Sequence, residues 1–171
     1  AIVFQSFRNG EEAIYVMRDD GVGQTRLVQG VDPSWSPDGS RLAYSQVVDG
    51  RDMIFIMDEG KPDSFPVTSG FGPVWSPDGQ RLAFADHVED NIELFLLELN
   101  GADRQQLTHN PANDLTPSWS PDGQSIVFER NGQLVMLNVL DGRETLLHTG
   151  DSIDCTPAWS PDGPWIAYAS R

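Results

Sequence analysis

Hydrophobic residues recur along this chain in short runs separated by polar turns. One series of runs lies at residues 2–4, 42–44, 82–84, 126–128 and 166–168. A second series lies at residues 14–17, 54–57, 94–97 and 134–137, with a constant spacing of 40 residues. The runs are rich in Ile, Val, Tyr and Phe and are bounded by Gly, Asp and Pro, which is typical of β-strands. We therefore predict an all-β protein, since no long stretch shows helical periodicity.

A pentapeptide, Trp-Ser-Pro-Asp-Gly, precedes four strands of the first series. Its tryptophans are Trp35, Trp75, Trp119 and Trp159, which lie 40, 44 and 40 residues apart. A strand-rich period of about 40 residues is typical of propellers. Together with a short polar strand centred on residues 27, 67, 107 and 147, the pattern predicts four-stranded antiparallel blades. We expect one propeller domain over residues 1–171, with units at 1–29 (partial), 30–69, 70–109, 110–149 and 150–171 (partial).

The turns and loops between the predicted strands vary in a regular way. In Ser-Pro-Asp-Gly, proline presets φ for a tight turn and glycine accepts the left-handed conformation that follows. The Asn131-Gly132 pair predicts a two-residue hairpin, and the first three hairpins at this place are longer by four residues. The loops into the last two Trp strands, residues 109–116 and 149–156, are also longer by four residues. Because variable loops on a constant framework commonly carry function, we expect recognition there.

Composition narrows the classes of partner. Acidic residues outnumber basic ones by 26 to 11, giving a formal net charge of −15. This balance argues against nucleic-acid binding, which requires a basic surface. No apolar run is long enough to span a bilayer, so we expect no membrane insertion. Proteins, peptides and metal cations are left as partners.

The aromatic and cysteine residues are first interpreted as structural. A Trp that recurs once per repeat is expected to pack between blades, so Trp35, Trp75, Trp119 and Trp159 are predicted to be structural. Trp165 stands where the other repeats have Arg or Ser, and it is therefore an interface candidate. The single cysteine, Cys155, is expected to be a small buried hydrophobe rather than a nucleophile. With no GxSxG elbow, P-loop or GxGxxG motif, we predict that the chain is not an enzyme.

Polar residues near the long loops provide two further hypotheses. Asp114 and Asp154 occupy the same repeat position, and their carboxylates could hold a cation such as Ca²⁺. The alternative is that they are hydrated loop carboxylates. His109 and His148 lie beside the long loops and are interface candidates, although they have no metal-ligand spacing and are equally consistent with surface loop histidines.

The stretches at residues 13–21, 107–114 and 117–128 resemble TolB-type β-propeller repeats, and the resemblance covers essentially the whole chain. Similar repeats occur in the periplasmic TolB protein of the Tol–Pal envelope system, in propellers of prolyl-oligopeptidase-like enzymes and in other bacterial extracytoplasmic proteins. The resemblance implies a periplasmic or secreted, non-catalytic scaffold that recognises a protein or peptide through its loops. The alternatives are an accessory or gating propeller of a larger enzyme, such as a serine peptidase, and a cation- or glycan-binding propeller.

The number of strands leaves ring closure open. The chain has three complete four-strand units and a partial unit at each end. It is consistent with a segment of a larger propeller, with a small four-bladed ring, or with a ring completed by another chain. Open strand edges would favour association between copies.

Overall fold

The computed structural model of the protein describes residues 1–8, 10–61, 63–101, 103–147 and 153–171. The described residues form antiparallel β-sheets, as predicted, and contain no helix that could cross a membrane. The chain divides into two compact units, Ala1–Pro73 and Val74–Arg171. Each sheet is a meander in which strands adjacent in sequence pair with each other, which is the arrangement of propeller blades.

The first two sheets comprise seven strands. The first sheet contains β1 (Ile2–Arg8), β2 (Glu11–Met17) and β3 (Thr25–Gln29). The second contains β4 (Val31–Trp35), β5 (Arg41–Val48), β6 (Arg51–Asp58) and β7 (Ser64–Ser69).

The remaining strands form two four-stranded sheets and one pair. The third sheet contains β8 (Phe71–Trp75), β9 (Arg81–Val88), β10 (Asn91–Glu98) and β11 (Arg104–Gln106). The fourth contains β12 (Asp114–Trp119), β13 (Ser125–Arg130), β14 (Gln133–Asn138) and β15 (Glu144–Leu146). β16 (Asp154–Trp159) pairs with β17 (Ile166–Ser170). The short polar strands were predicted to be centred on residues 107 and 147. They lie slightly earlier in the chain and end at Gln106 and Leu146.

Central strands supply the core because both of their faces are covered. Tyr44, Phe84 and Phe128 occupy the same repeat position in β5, β9 and β13, and all three are fully buried. Tyr44 stacks on Phe55 and Phe84 stacks on Phe95, with ring centroids 5.6 and 5.8 Å apart. Burying a large aromatic ring is strongly favourable, so the two stacked pairs hold β5 against β6 and β9 against β10.

The Ser-Pro-Asp-Gly segments form the predicted tight turns. In the first copy the Gly39 amide donates to the Ser36 carbonyl at 2.8 Å, and Gly39 has a φ of 72°. The Ser36 hydroxyl donates to Asp38 at 2.6 Å. This bond, followed by bonds from Ser40, lowers the pKa of Asp38 to about 2. The other three copies make the same glycine-to-serine backbone bond, so one turn chemistry serves every repeat.

The length difference between hairpins lies in the strands and not in the turns. β5 and β6 each have eight residues, and the residues at 49–50 join them. β13 and β14 each have six residues, and Asn131-Gly132 joins them, as predicted. Asn131 and Gly132 both have positive φ, at 51° and 75°, which matches a tight two-residue turn. The four extra residues of the longer hairpin are therefore two more in each strand.

Candidate functional site

Each strand that ends in a repeat Trp bends three residues before that Trp. The residues at the bend are Asp32, Gly72, Thr116 and Thr156, whose φ angles are 52°, 62°, 52° and 51°. The pairing register shifts next to the bend in β4, β12 and β16, which identifies a β-bulge. A β-branched residue with positive φ is a true outlier, and such strain is retained where the surroundings enforce it, often beside functional sites. Two of the four bend residues, Thr116 and Thr156, are the last residues of the loops in which we expect recognition.

A buried carboxylate holds one of those loops, residues 107–113, which we call loop 107–113. Glu93 in β10 is only 2% exposed. It accepts hydrogen bonds from the Thr108 hydroxyl at 2.5 Å and from the Asn110 amide at 2.8 Å. Thr108 in turn accepts a bond from the Leu94 amide at 2.9 Å. The carboxylate is thus tied to the first half of the loop by charge-assisted bonds, the stronger class of protein hydrogen bond.

Asparagine side chains complete the support of loop 107–113. The Asn91 amide group donates to Glu93 at 2.9 Å and to the carbonyls of Asn110 and Ala112. The Ile92 amide donates to the Asn113 side chain at 2.9 Å. Because these bonds satisfy the polar backbone from the inner side, His109, Pro111 and Asn113 are left exposed. The loop is a braced surface on which three side chains of different chemistry are displayed.

The loop ends in an ion-pair network. Asp114, the first residue of β12, is fully buried and accepts bonds from Arg130 at 2.7 and 2.8 Å, and from Asn110 at 2.8 Å. Arg130 also donates to Glu144 at 2.5 and 2.9 Å. Hydrogen bonds to Asp114, and then to Glu144, raise the pKa of Arg130 above its ordinary value. The arginine is therefore a permanent cation that bridges β12, β13 and β15.

The aspartates are not the hydrated loop carboxylates considered above. Asp114 is 0% exposed and Asp154 is 1% exposed, and each begins a strand. Both oxygens of Asp114 are engaged by Arg130, since its Nε and Nη2 atoms bond to different oxygens. Within the described parts of the chain, no group of three His, Cys, Asp or Glu residues is arranged to hold a metal ion. The Ca²⁺ hypothesis stays a prediction. The guanidinium of Arg130 already pairs with Asp114, one of the two carboxylates that the hypothesis requires.

The other candidate residues lie in varied surroundings. Trp75 and Trp119 are 6% and 7% exposed, and Trp35 and Trp159 are half-buried. Cys155 is half-buried in β16 instead of fully buried, because it lies beside the bulge of a two-stranded sheet. Trp165 is 73% exposed, and His148 lies outside the described residues.

The repeated sheet, turn and bulge match a known family. The family model described as TolB beta propeller domain matches residues 31–171. The chain belongs to this family. No curated protein sequence gives a significant match.

Solved structures show that the TolB propeller fold of this chain is shared by proteins of different kinds. TolB from Acinetobacter baumannii has a TM-score of 0.82 at 22% identity, over 94% of this chain and 43% of that one. A chain of a nidogen–laminin complex has a TM-score of 0.77 at 14% identity, over 94% of this chain and 65% of that one. An oligogalacturonate lyase in complex with manganese has a TM-score of 0.73 at 15% identity, over 99% of this chain and 55% of that one. This chain therefore spans about half the length of these proteins, and the likeness shows the fold alone.

Sequence reasoning did not single out Glu93 or Arg130, although both organise the TolB-propeller loop region. A signal was present for Glu93, which interrupts the apolar run of β10 between Ile92 and Leu94. A charged residue inside such a run is rarely buried without partners, so it predicts a hydrogen-bonded network. Arg130 carried no comparable signal, because its partners lie 16 residues before it and 14 residues after it.

Proposed function

We propose that this TolB-type propeller is a non-catalytic scaffold that recognises a protein or peptide through loop 107–113. The observation that carries the proposal is the bracing of the loop by buried Glu93, which leaves His109, Pro111 and Asn113 exposed. A loop held in one conformation loses little entropy when a partner binds, which favours affinity. We further propose that the protein acts in the periplasm or outside the cell, in keeping with its TolB-type repeats.

The chemistry of the exposed residues suits a polar peptide surface. Histidine and asparagine side chains both donate and accept hydrogen bonds, and proline offers a rigid apolar face. The net charge of −15 would favour a partner with a basic surface, mainly by accelerating encounter. The solved nidogen–laminin complex supports the proposal to the extent that a chain of the same fold occurs in a protein–protein complex.

A displayed peptide library panned against the chain tests this function. Selected peptides are expected to lose at least about tenfold in affinity when His109→Ala and Pro111→Ala are combined, since two exposed contacts are removed and the hydrogen bonds that brace the loop are kept. Asp141→Ala, at an exposed outer turn, is the matched control and is expected to leave affinity unchanged. Selected peptides that bind both variants equally well would refute recognition through loop 107–113.

A further inference from the structure

A groove of about 480 Å³ lies in the first unit, within residues 1–61. Its lining is mostly apolar and includes Trp35, and it also carries charged residues at the end of β6 and in the turn that follows. The lining includes Ala1, Arg26, Trp35, Asp58, Glu59 and Lys61.

A groove of about 450 Å³ occupies the corresponding position two repeats later, within residues 81–140. Val16, Asp58 and Glu59 line the first groove. Leu96, Asn138 and Val139, each 80 residues later, line the second. The two grooves thus occupy equivalent positions in the repeat, so the residues that line them can be compared position by position.

An arginine covers the tryptophan beside the second groove. The guanidinium carbon of Arg81 lies 4.8 Å from the centre of the Trp119 ring, a cation–π contact. Its Nη2 atom also donates to the Gly123 carbonyl at 3.2 Å. Trp119 is buried beneath it, and its indole nitrogen donates to the Val74 carbonyl at 3.3 Å.

Among the described residues, no arginine lies over the Trp35 ring of the first groove. Ala1 stands 80 residues before Arg81, at the same repeat position, and a methyl group cannot reach over the Trp35 ring. Trp35 is half-buried, and its indole nitrogen is the one buried side-chain polar atom in the described residues that has no hydrogen-bond partner. Trp35 therefore lacks two contacts that Trp119 makes, the guanidinium over its ring and the carbonyl acceptor for its indole nitrogen.

The rim charges of the two grooves differ. The first groove has the carboxylates of Asp58 and Glu59 where the second has the neutral Asn138 and Val139. Two cationic side chains also line the first groove, but each has a carboxylate partner: Lys61 lies 2.6 Å from Asp58, and Arg26 lies 3.4 Å from Glu11. Glu59 forms no ion pair within the residues that the structure describes.

We propose that the groove at Trp35 binds an arginine side chain of a partner peptide, stacked on the Trp35 ring and paired with Glu59. The guanidinium is planar and weakly hydrated, so it stacks on an indole and forms a carboxylate pair at the same time. Lysine is a strongly hydrated point charge and suits this site less well. The site involves residues other than those of loop 107–113, so it stands independently of the proposed function.

The test is a titration of the isotopically labelled protein with N-acetyl-arginine amide, in which the indole N–H signals are followed by NMR. The expected result is a saturable shift of the Trp35 indole signal. The neutral citrulline analogue and Glu59→Gln should each weaken binding at least about fivefold, because the ion pair is lost. Ala1→Arg should weaken binding at least about tenfold, since it supplies the guanidinium from within the chain. His109→Ala should have no effect, which separates this site from the loop.

The second groove provides a matched gain-of-function control. Arg81→Ala combined with Val139→Glu should uncover Trp119, place a carboxylate at the position equivalent to Glu59 and create a second saturable site, reported by the Trp119 indole signal. Asp141→Ala should change neither signal. The proposal is overturned if arginine amide at concentrations up to ~50 mM, well above the range expected for a weak single-residue site, gives no saturable shift of the Trp35 signal. It is equally overturned if citrulline and arginine analogues bind alike, or if Ala1→Arg leaves binding intact.

Discussion

Replacing Glu93 by Gln tests whether a buried charge braces the loop. Glutamine has the same shape, but its NH2 group would place two N–H donors against the N–H and O–H groups that now donate to the Glu93 carboxylate. Three short bonds are affected, from Thr108 at 2.5 Å, Asn110 at 2.8 Å and Asn91 at 2.9 Å. The variant therefore removes the charge and disturbs the hydrogen bonds without opening a cavity.

The magnitude follows from these bonds. A hydrogen bond to a charged group contributes roughly 1.5–3 kcal/mol, against roughly 0.5–1.5 for a neutral one, so three weakened bonds cost about 3 kcal/mol. A neutral amide is less costly to bury than a carboxylate, which returns about 1 kcal/mol. We expect Glu93→Gln to lower the free energy of unfolding by about 2 kcal/mol.

Urea denaturation measures the global loss, and hydrogen exchange of the Asn110 amide measures loosening of loop 107–113. Glu98→Gln is the control, since Glu98 lies exposed on the same strand and should change stability by less than about 0.5 kcal/mol. If Glu93→Gln matched this control and left Asn110 protected, the carboxylate would not be the brace that the structure indicates.

Three further outcomes are expected. Trp75→Ala should cost about 3–5 kcal/mol in urea denaturation, because a buried ring is deleted; a loss below about 1 kcal/mol would contradict a packing role. Since the pKa of Asp38 is lowered to about 2 from 3.8, the stability that its ionised form contributes is full above pH 3.8 and is lost as the pH falls towards 2. Asp38→Asn should flatten the dependence of the free energy of unfolding on pH over that range. An unchanged pH dependence would refute a stabilising role of ionised Asp38 in the turn. EDTA and Ca²⁺ should leave the melting temperature unchanged, because Arg130 already neutralises Asp114; a reproducible Ca²⁺-dependent rise would instead support a cation site.

The strand order of the fold could be predicted because it depends on local signals. Hydrophobic runs bounded by Pro-Asp-Gly and Asn-Gly specify where strands end and which way the chain turns, and the hairpins pair neighbours in sequence. The bulge was not predicted, since only Gly72 among the four bend residues has an intrinsic preference for positive φ. Asp32, Thr116 and Thr156 are held there by their sheets.

The candidate site was predicted in position but not in chemistry. The long loop before Trp119 was recognised from its length, and His109 is exposed in it. Asp114 was interpreted as a hydrated carboxylate or a cation ligand, because its partner Arg130 comes from the next strand. Hydrogen-bond partners of this kind are set by strand register, which the residue pattern of one strand alone does not specify.

The constant two-residue turn between the second and third strands of a blade limits how such hairpins gain or lose length during evolution. Side chains alternate between the two faces of a strand, so removal of a single residue would move every following side chain to the opposite face. Removal of one residue from each strand would keep this alternation but would close the turn on the other type of pair, since hydrogen-bonded and non-hydrogen-bonded pairs alternate along an antiparallel ladder. Removal of two residues from each strand preserves the alternation, the type of pair and the turn. The hairpin joined by Asn131-Gly132 differs from the one joined at residues 49–50 by this step of four residues. Insertions and deletions at this end of a blade are thus expected to be tolerated in multiples of four, a rule that library design can apply directly.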